Sequence, residues 1–179
     1  KKALSWHNSP IEYQTSLLNI QLQVYERLLD YDNCRSILTQ LEELYNKYDS
    51  DHTIKINILA KVIRYYTENK CYDIIKTYEN ILPRKIIPEN INDIDKKILL
   101  INWNTVYNAF AITFSEINNH EKALEYFLKA VEVLIPDIEK NRQSLYFNIA
   151  REYYKLNNID KALEYQIKAI ELLDDNNKD

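Results

Sequence analysis

The sequence predicts an all-α solenoid of about four antiparallel helical hairpins, and two observations lead to this prediction. Residues 109–134 and 148–173 are near copies of each other, thirty-nine residues apart, and each contains Asn-Asn followed two residues later by Lys-Ala-Leu-Glu-Tyr. A repeat of this size is typical of solenoids, in which each unit buries its apolar face against the next one. The chain also contains no Gly, which suits a nearly all-helical protein because Gly destabilises a helix by about 1 kcal/mol relative to Ala.

Composition limits the classes of function. The chain has 179 residues, a net charge of −4 and 46% hydrophobic residues, so it can bury a core but has no net attraction to nucleic acid or anionic membranes. No apolar run approaches the roughly 20 residues that cross a bilayer, and the first ten residues lack the apolar stretch of a signal peptide. Cys34 and Cys71 lack CxxC spacing, which favours free thiols in a reducing compartment. We therefore expect a cytoplasmic location, with no membrane and no direct nucleic-acid contact.

Missing residue types exclude several kinds of chemistry. Without Gly, the chain cannot form a Gly-rich phosphate loop, a nucleophile elbow or an EF-hand turn. The three His residues are dispersed and share no metal-ligand spacing with the Cys residues. We therefore expect no enzyme activity, no metal and no cofactor. The chain also has no Met and hence no initiator, which indicates a fragment of a longer protein.

The first half of the chain is organised as a lead-in and two hairpins. Residues 1–11 are expected to be a linker, and the repeat domain is expected to fill 12–179. In the first hairpin, 13–48, apolar residues recur at helical spacing on both sides of a turn at 30–33. In the second, 54–82, the turn at 68–70 is expected to be irregular, because its two helices fit the repeat in registers one residue apart. Pro83 and Pro88 then bracket a stiff connector.

The second half contains the two matched hairpins, predicted at 93–135 and 137–173. The third hairpin begins with a helix longer than its neighbours, which Asn92 or Asp93 can cap. Pro136 is placed as a first-turn proline between the two hairpins. The last helix carries apolar side chains around much of its surface. Either further repeats follow it, or this end packs against a second copy in a homodimer.

The matched hairpins resemble tetratricopeptide repeats, in which small and aromatic residues recur where two helices cross. The residues that carry this resemblance are Tyr107, Phe110, Ala111, Phe114, Ala123, Phe127 and Ala130 in the third hairpin, and Tyr146, Ile149, Ala150, Tyr153, Ala162 and Ala169 in the fourth. The match is strong over 104–173 and weak over 13–82. It implies a right-handed superhelix whose first helices line a concave groove that takes a short peptide or protein segment.

A finer resemblance concerns the peptide-sensing domains of Gram-positive quorum-sensing transcriptional regulators. It is carried by extended, irregular repeats without Gly in a chain rich in Asn, Lys and Ile. It implies that a signalling peptide occupies the groove, and that a helix-turn-helix domain precedes Lys1. Two alternatives stay open: a protein-binding scaffold that does not switch, and the repeat region of a response-regulator phosphatase.

Candidate groove residues follow from the register of the first helix of each hairpin. These residues are Asn19 and Gln23 in the first hairpin, Asn57, Lys61 and Arg64 in the second, Asn104 and Asn108 in the third, and Asn148, Arg151 and Lys155 in the fourth. An Asn side chain both donates and accepts hydrogen bonds, so it can hold a peptide backbone of any sequence. Arg and Lys can hold an acidic side chain or a C-terminal carboxylate. The alternative is that all of these side chains are solvated polar faces.

Overall fold

The computed structural model describes residues 10–47, 52–83, 85, 87, 89, 91–135 and 139–176. Residues 1–9 of the expected linker, together with Pro88 and Pro136, lie outside the described residues, whereas Pro10 and Ile11 already belong to the first helix. The eight helices of this part, α1 to α8, span Pro10–Arg27, Tyr31–Lys47, His52–Glu68, Tyr72–Tyr78, Asp93–Glu116, His120–Glu132, Glu139–Lys155 and Ile159–Asn176. A 3₁₀ turn, Glu79–Ile81, follows α4. The predicted all-α solenoid of four antiparallel hairpins is confirmed.

All four hairpins close with the same turn. Each turn contains one residue with positive φ: Leu29 at 58°, Lys70 at 56°, Asn118 at 61° and Asn157 at 58°. In each case the N–H of the next residue donates to the carbonyl oxygen five residues before it, for example Asn119 to Phe114 at 2.8 Å. This is the Schellman arrangement, which satisfies carbonyl groups at the end of a helix. Asn tolerates the left-handed conformation better than most residues, so Asn118 and Asn157 can take this position in a chain without Gly.

The first two turns differ from the sequence-based expectation. In the first hairpin α2 begins at Tyr31, inside the stretch that we expected to form the turn. Asp30 is the reason, because its carboxylate accepts the Asn33 N–H at 3.2 Å and so caps a helix that begins two residues after Leu29. The second turn, expected to be irregular, has the common geometry around Lys70. The irregularity lies in α4 instead, which is only 7 residues long.

The hairpins stack so that the first helix of each one packs on the second helix of the hairpin before it. These contacts join α2 to α3, α4 to α5 and α6 to α7. On the concave side α3 also packs closely on α5, whereas the backbones of α5 and α7 lie further apart and these helices are joined at the end of α5 by the Ser115–Glu152 hydrogen bond. The concave surface therefore opens between α5 and α7.

The residues that carry the repeat pattern form the densest part of the core. Ala111, Ala123 and Ala130 are completely buried, which lets α5 and α6 approach closely. The ring of Tyr126 lies 5.1 Å from the ring of Phe110 and 5.6 Å from that of Phe114. These contacts fix the angle between α5 and α6, and hence the position of the α5 face that points into the groove.

Candidate functional site

A cavity of about 300 Å³ lies on the concave side between α3, α5 and α7. We call it the central cavity. Its apolar floor is formed by Ala109 and Ile112 of α5 and by Leu145 of α7. Its polar wall consists of Arg64, Thr67, Glu68, Asn104, Thr105, Asn108, Asn141, Ser144 and Asn148. The volume is at the lower end of the range for ligand pockets, and a polar rim over an apolar floor can hold a peptide backbone together with a small apolar side chain.

Four of the predicted groove residues meet in this cavity. Arg64 comes from α3, Asn104 and Asn108 from α5, and Asn148 from α7. The two α5 residues are one helical turn apart and therefore share a face of the helix. The register argument thus places four residues from three hairpins around a single cavity.

The asparagine amides of α5 differ in how they are bonded. Asn104 donates from Nδ2 to the carbonyl oxygen of Ala130 at 2.9 Å, which fixes its amide plane against α6. The Oδ1 atom of Asn108, by contrast, is buried and has no hydrogen-bond partner. Buried polar atoms are nearly always bonded, and each unpaired one needs a physical explanation. The Oδ1 atom of Asn108 is therefore a buried acceptor in the lining of the cavity that a ligand can satisfy.

Arg64 is already engaged by carboxylates. Its guanidinium donates to Glu68 at 2.6 Å and, more weakly, to Glu26 of α1 at 3.5 Å. Two carboxylates around one cation leave this cluster with a formal charge of −1. The geometry therefore does not favour the predicted role of Arg64 in holding an acidic side chain or a C-terminal carboxylate.

The other predicted groove residues lie outside the central cavity. Lys61 donates to the Oδ1 atom of Asn57, so these two side chains satisfy each other within α3. Arg151 borders a different cavity between α7 and α8, and its Nε donates to Glu152 at 3.2 Å. Lys155 is exposed near the end of α7. The two remaining candidates lie on α1, where Gln23 is exposed and Asn19 is partly buried.

The sequence-based prediction missed several residues that line the central cavity. Glu68 lies one helical turn after Arg64, and Ser144 and Asn141 lie one and two turns before Asn148. The helical spacing of 3.6 residues per turn could have identified them. Ser144 and Asn148 also border a second cavity of about 520 Å³ between α7 and α8, together with Gln143, Phe147, Gln166, Ala169 and Ile170. The groove therefore continues past α7.

A buried carboxylate lies where the third and fourth hairpins meet. Glu152 of α7 is fully buried and accepts a hydrogen bond from the Ser115 hydroxyl at 2.8 Å. Its second oxygen lies 2.8 Å from Nδ1 of His120, the first residue of α6. In a hydrolytic triad the His lies between the Ser and the acid, whereas here the acid lies between the other two. The Ser115 hydroxyl thus contacts the carboxylate and not the imidazole, and the cluster joins two hairpins.

No described helix is long and apolar enough to cross a membrane. Among the described residues, no group of three or more His, Cys, Asp and Glu side chains could hold a metal ion.

Comparison with known proteins supports the identification of the repeat. Residues 105–133 and 143–175 match the family model of the tetratricopeptide repeat, which covers most of the α5–α6 and α7–α8 hairpins. The crystal structure of BtubC from P. vanneervenii is similar with a TM-score of 0.66 and 11% identity, over 94% of this chain and 66% of that chain. The crystal structure of MamA protein has a TM-score of 0.41 and 16% identity, over 92% of this chain and 94% of that one. No curated protein matches the sequence.

The family match lies in the second half of the chain. The chain is an all-α solenoid whose third and fourth hairpins match this repeat, and such repeats bind proteins or peptides. At 11% identity, the likeness to BtubC concerns the fold alone. This chain spans about two thirds of the BtubC length, 66%.

Proposed function

We propose that this tetratricopeptide-repeat protein binds an extended peptide segment in the central cavity and the groove that continues past α7. The observation that carries this proposal is the buried, unpaired Oδ1 atom of Asn108. Leaving a buried acceptor unpaired costs about 1–3 kcal/mol. The terminal torsion of an Asn side chain is soft, so a small rotation turns this oxygen toward the cavity, where a peptide N–H can satisfy it.

The lining favours recognition of the peptide backbone. The Asn104 amide keeps its oxygen available as an acceptor, because only its Nδ2 atom is bonded to Ala130. Asn148 faces it from α7 and can both donate and accept. Arg64 is held by Glu26 and Glu68, so the cavity has little attraction for a carboxylate. We therefore propose a neutral or basic segment as the ligand.

The ligand class that we propose first is a short signalling peptide. Its support is the resemblance to peptide-sensing regulators, together with a groove long enough for several residues, since the two cavities share Ser144 and Asn148. In this proposal the chain is the sensor region of a cytoplasmic bacterial transcriptional regulator. A peptide that contacts both α5 and α7 would close the opening between them and so change the pitch of the superhelix. This change of pitch would control the output domain.

A selected peptide tests the site. Peptides from a random displayed library are selected on the parent protein and measured by calorimetry. We expect Asn108→Ala and Asn148→Ala each to weaken binding by about 2- to 10-fold, which corresponds to one hydrogen bond of about 0.5–1.5 kcal/mol. Asn46→Ala is the matched control, because Asn46 lies exposed on α2 away from the cavity. Equal affinity for all four proteins would place the peptide elsewhere.

Small-angle scattering separates the sensor from the scaffold. If the peptide acts as a signal, the radius of gyration of the protein changes when the peptide is bound. If the radius stays the same while binding is tight, the protein is a scaffold that does not switch, and the regulatory part of the proposal fails while the binding site stands.

A further inference from the structure

The residues with positive φ give one common numbering for the four hairpins, because each occupies the same place in its turn. Counting twelve residues back from them reaches Leu17 on α1, Ile58 on α3, Val106 on α5 and Leu145 on α7. Ile58, Val106 and Leu145 are buried, whereas Leu17 is 44% exposed. The same apolar position is therefore buried in α3, α5 and α7 and exposed in α1.

A second position repeats this contrast. Five residues before the positive-φ residue lie Tyr65, Thr113 and Glu152, all buried, whereas the equivalent Val24 on α1 is 48% exposed. Glu152 contacts the preceding hairpin at this position through Ser115 and His120. Leu17 and Val24 thus form the face that α1 would present to a preceding hairpin. We call it the leading face.

The opposite end of the array has the complementary surface. Ser115 and His120 contact Glu152 of the next hairpin. In the last hairpin, thirty-nine residues later, the equivalent residues are Tyr154 and Ile159. Tyr154 is 67% exposed and Ile159 is 45% exposed. With Leu163, 58% exposed, they border a cavity of about 330 Å³ between α7 and α8. We call the surface formed by Tyr154, Ile159 and Leu163 the trailing face.

The chemistry of the two open faces matches. Inside the chain, a carboxylate at the Glu152 position meets a hydroxyl and an imidazole from Ser115 and His120. At the open faces the residue equivalent to Glu152 is Val24, and the residues equivalent to Ser115 and His120 are Tyr154 and Ile159. Inside the array a carboxylate thus meets polar partners, whereas at its ends an aliphatic side chain is available for an aromatic and an aliphatic one. Burial of these exposed side chains would stabilise the contact.

We infer that the leading face of one copy docks on the trailing face of a second copy, with α1 in the place that α7 takes on α5 and α6. The contact continues the interface that already stacks the hairpins, so two copies form a longer superhelix of the same kind. It joins two different faces, which makes it head-to-tail. Such an interface leaves one face open at each end and supports growth beyond a dimer.

Light scattering after size exclusion, on the full chain from micromolar to millimolar concentration, tests this inference. The average mass is expected to rise past that of a dimer as concentration rises.

Two variants test the two faces separately. Val24→Glu disrupts the leading face and Leu163→Glu disrupts the trailing face, and each variant alone is expected to stay monomeric. An equimolar mixture of the two is expected to give dimers, because each variant retains the face that the other has lost. Ile94→Glu is the control, since Ile94 is exposed at the start of α5, and it should assemble like the parent.

Three results would overturn the inference. The parent protein could stay monomeric throughout, or Leu163→Glu alone could prevent assembly while Val24→Glu has no effect, which would indicate a symmetric contact between two α8 helices. The mixture of the two variants could also fail to form dimers. Circular dichroism of each variant shows whether it is folded, and substitutions at these exposed positions should leave the helical signal unchanged.

Discussion

At the scale of single residues, Glu152 is the unusual feature of the chain. A buried carboxylate is costly to remove from water unless hydrogen bonds surround it. Ser115, His120 and Arg151 supply three such bonds. They come from the end of α5, the start of α6 and α7 itself. Glu152 therefore fixes the rotation of α7 against the preceding hairpin, and with it the direction in which Asn148 points.

Replacement of Glu152 by Ala should destabilise the protein by about 2–4 kcal/mol, because the buried Ser115 and the partly buried His120 both lose their acceptor, at about 1–3 kcal/mol for a buried group. Urea unfolding followed by circular dichroism measures this change. Glu125→Ala is the control, since Glu125 is exposed and pairs with Lys129 one turn away on the same helix. The bridging role would be wrong if both variants unfolded at the same urea concentration.

At the scale of helices and turns, the sequence predicts those turns whose own residues favour the turn conformation. Asn118 and Asn157 are recognisable as turn residues, because Asn accepts positive φ more readily than other residues with a Cβ. Leu29 and Lys70 take the same conformation but carry no such signal, so the first turn was placed too late. Here the conformation is imposed by the packing of the two helices on either side.

The site shows the same division between local and non-local information. The register of the repeat, combined with helical spacing, predicted Arg64, Asn104, Asn108 and Asn148 for the groove, and all four line the central cavity. It could not show that Glu26, thirty-eight residues before Arg64, shares its guanidinium. Nor could it place Arg151, because the orientation of α7 depends on contacts with α6 that no local pattern records.

The repeated Ala positions give a matched pair of substitutions. Ala123 is completely buried between α5 and α6, so Ala123→Leu should cost about 1–3 kcal/mol through overpacking. Ala162 is its equivalent in the last hairpin, but it borders the cavity of about 330 Å³, which can accept the added methylene groups. Ala162→Leu should therefore cost clearly less. Thermal unfolding of both variants compares them directly, and equal losses would mean that the last hairpin is as tightly closed as the third.

At the scale of the whole molecule, buried tyrosines occur in the second and third hairpins. Burial is the main cause that raises the pKa of Tyr65 to about 12, with a smaller contribution from Cys34. Burial, aided by Glu132, raises the pKa of Tyr107 to about 12. The pKa values of Tyr78 and Tyr126 are also raised, first by burial and then by hydrogen bonds to Glu42 and Glu79 respectively. Ionisation of these phenols thus opposes the folded state in two consecutive hairpins.

The sign of the pH dependence follows from proton binding. An unfolded Tyr loses its proton near pH 10, whereas folded Tyr65 and Tyr107 keep theirs until about pH 12. Between these values the unfolded chain binds fewer protons, so the free energy of unfolding falls as pH rises. The stabilisation is fully present below pH 10 and is lost progressively toward pH 12. Urea unfolding at a series of pH values should therefore give a stability that declines steeply above pH 10.

The Tyr107→Phe variant shows how much one buried phenol contributes to this pH dependence of stability. This variant lacks one titrating phenol but retains every Lys, so lysine deprotonation affects it and the parent equally. Its stability should decline less steeply above pH 10, by at most about 1.4 kcal/mol per pH unit, the effect of one proton. Parallel curves for the two proteins would mean that Tyr107 ionises equally in the folded and unfolded states. A shallower curve for the variant would show that alkaline unfolding of the array depends on phenols buried between its helices.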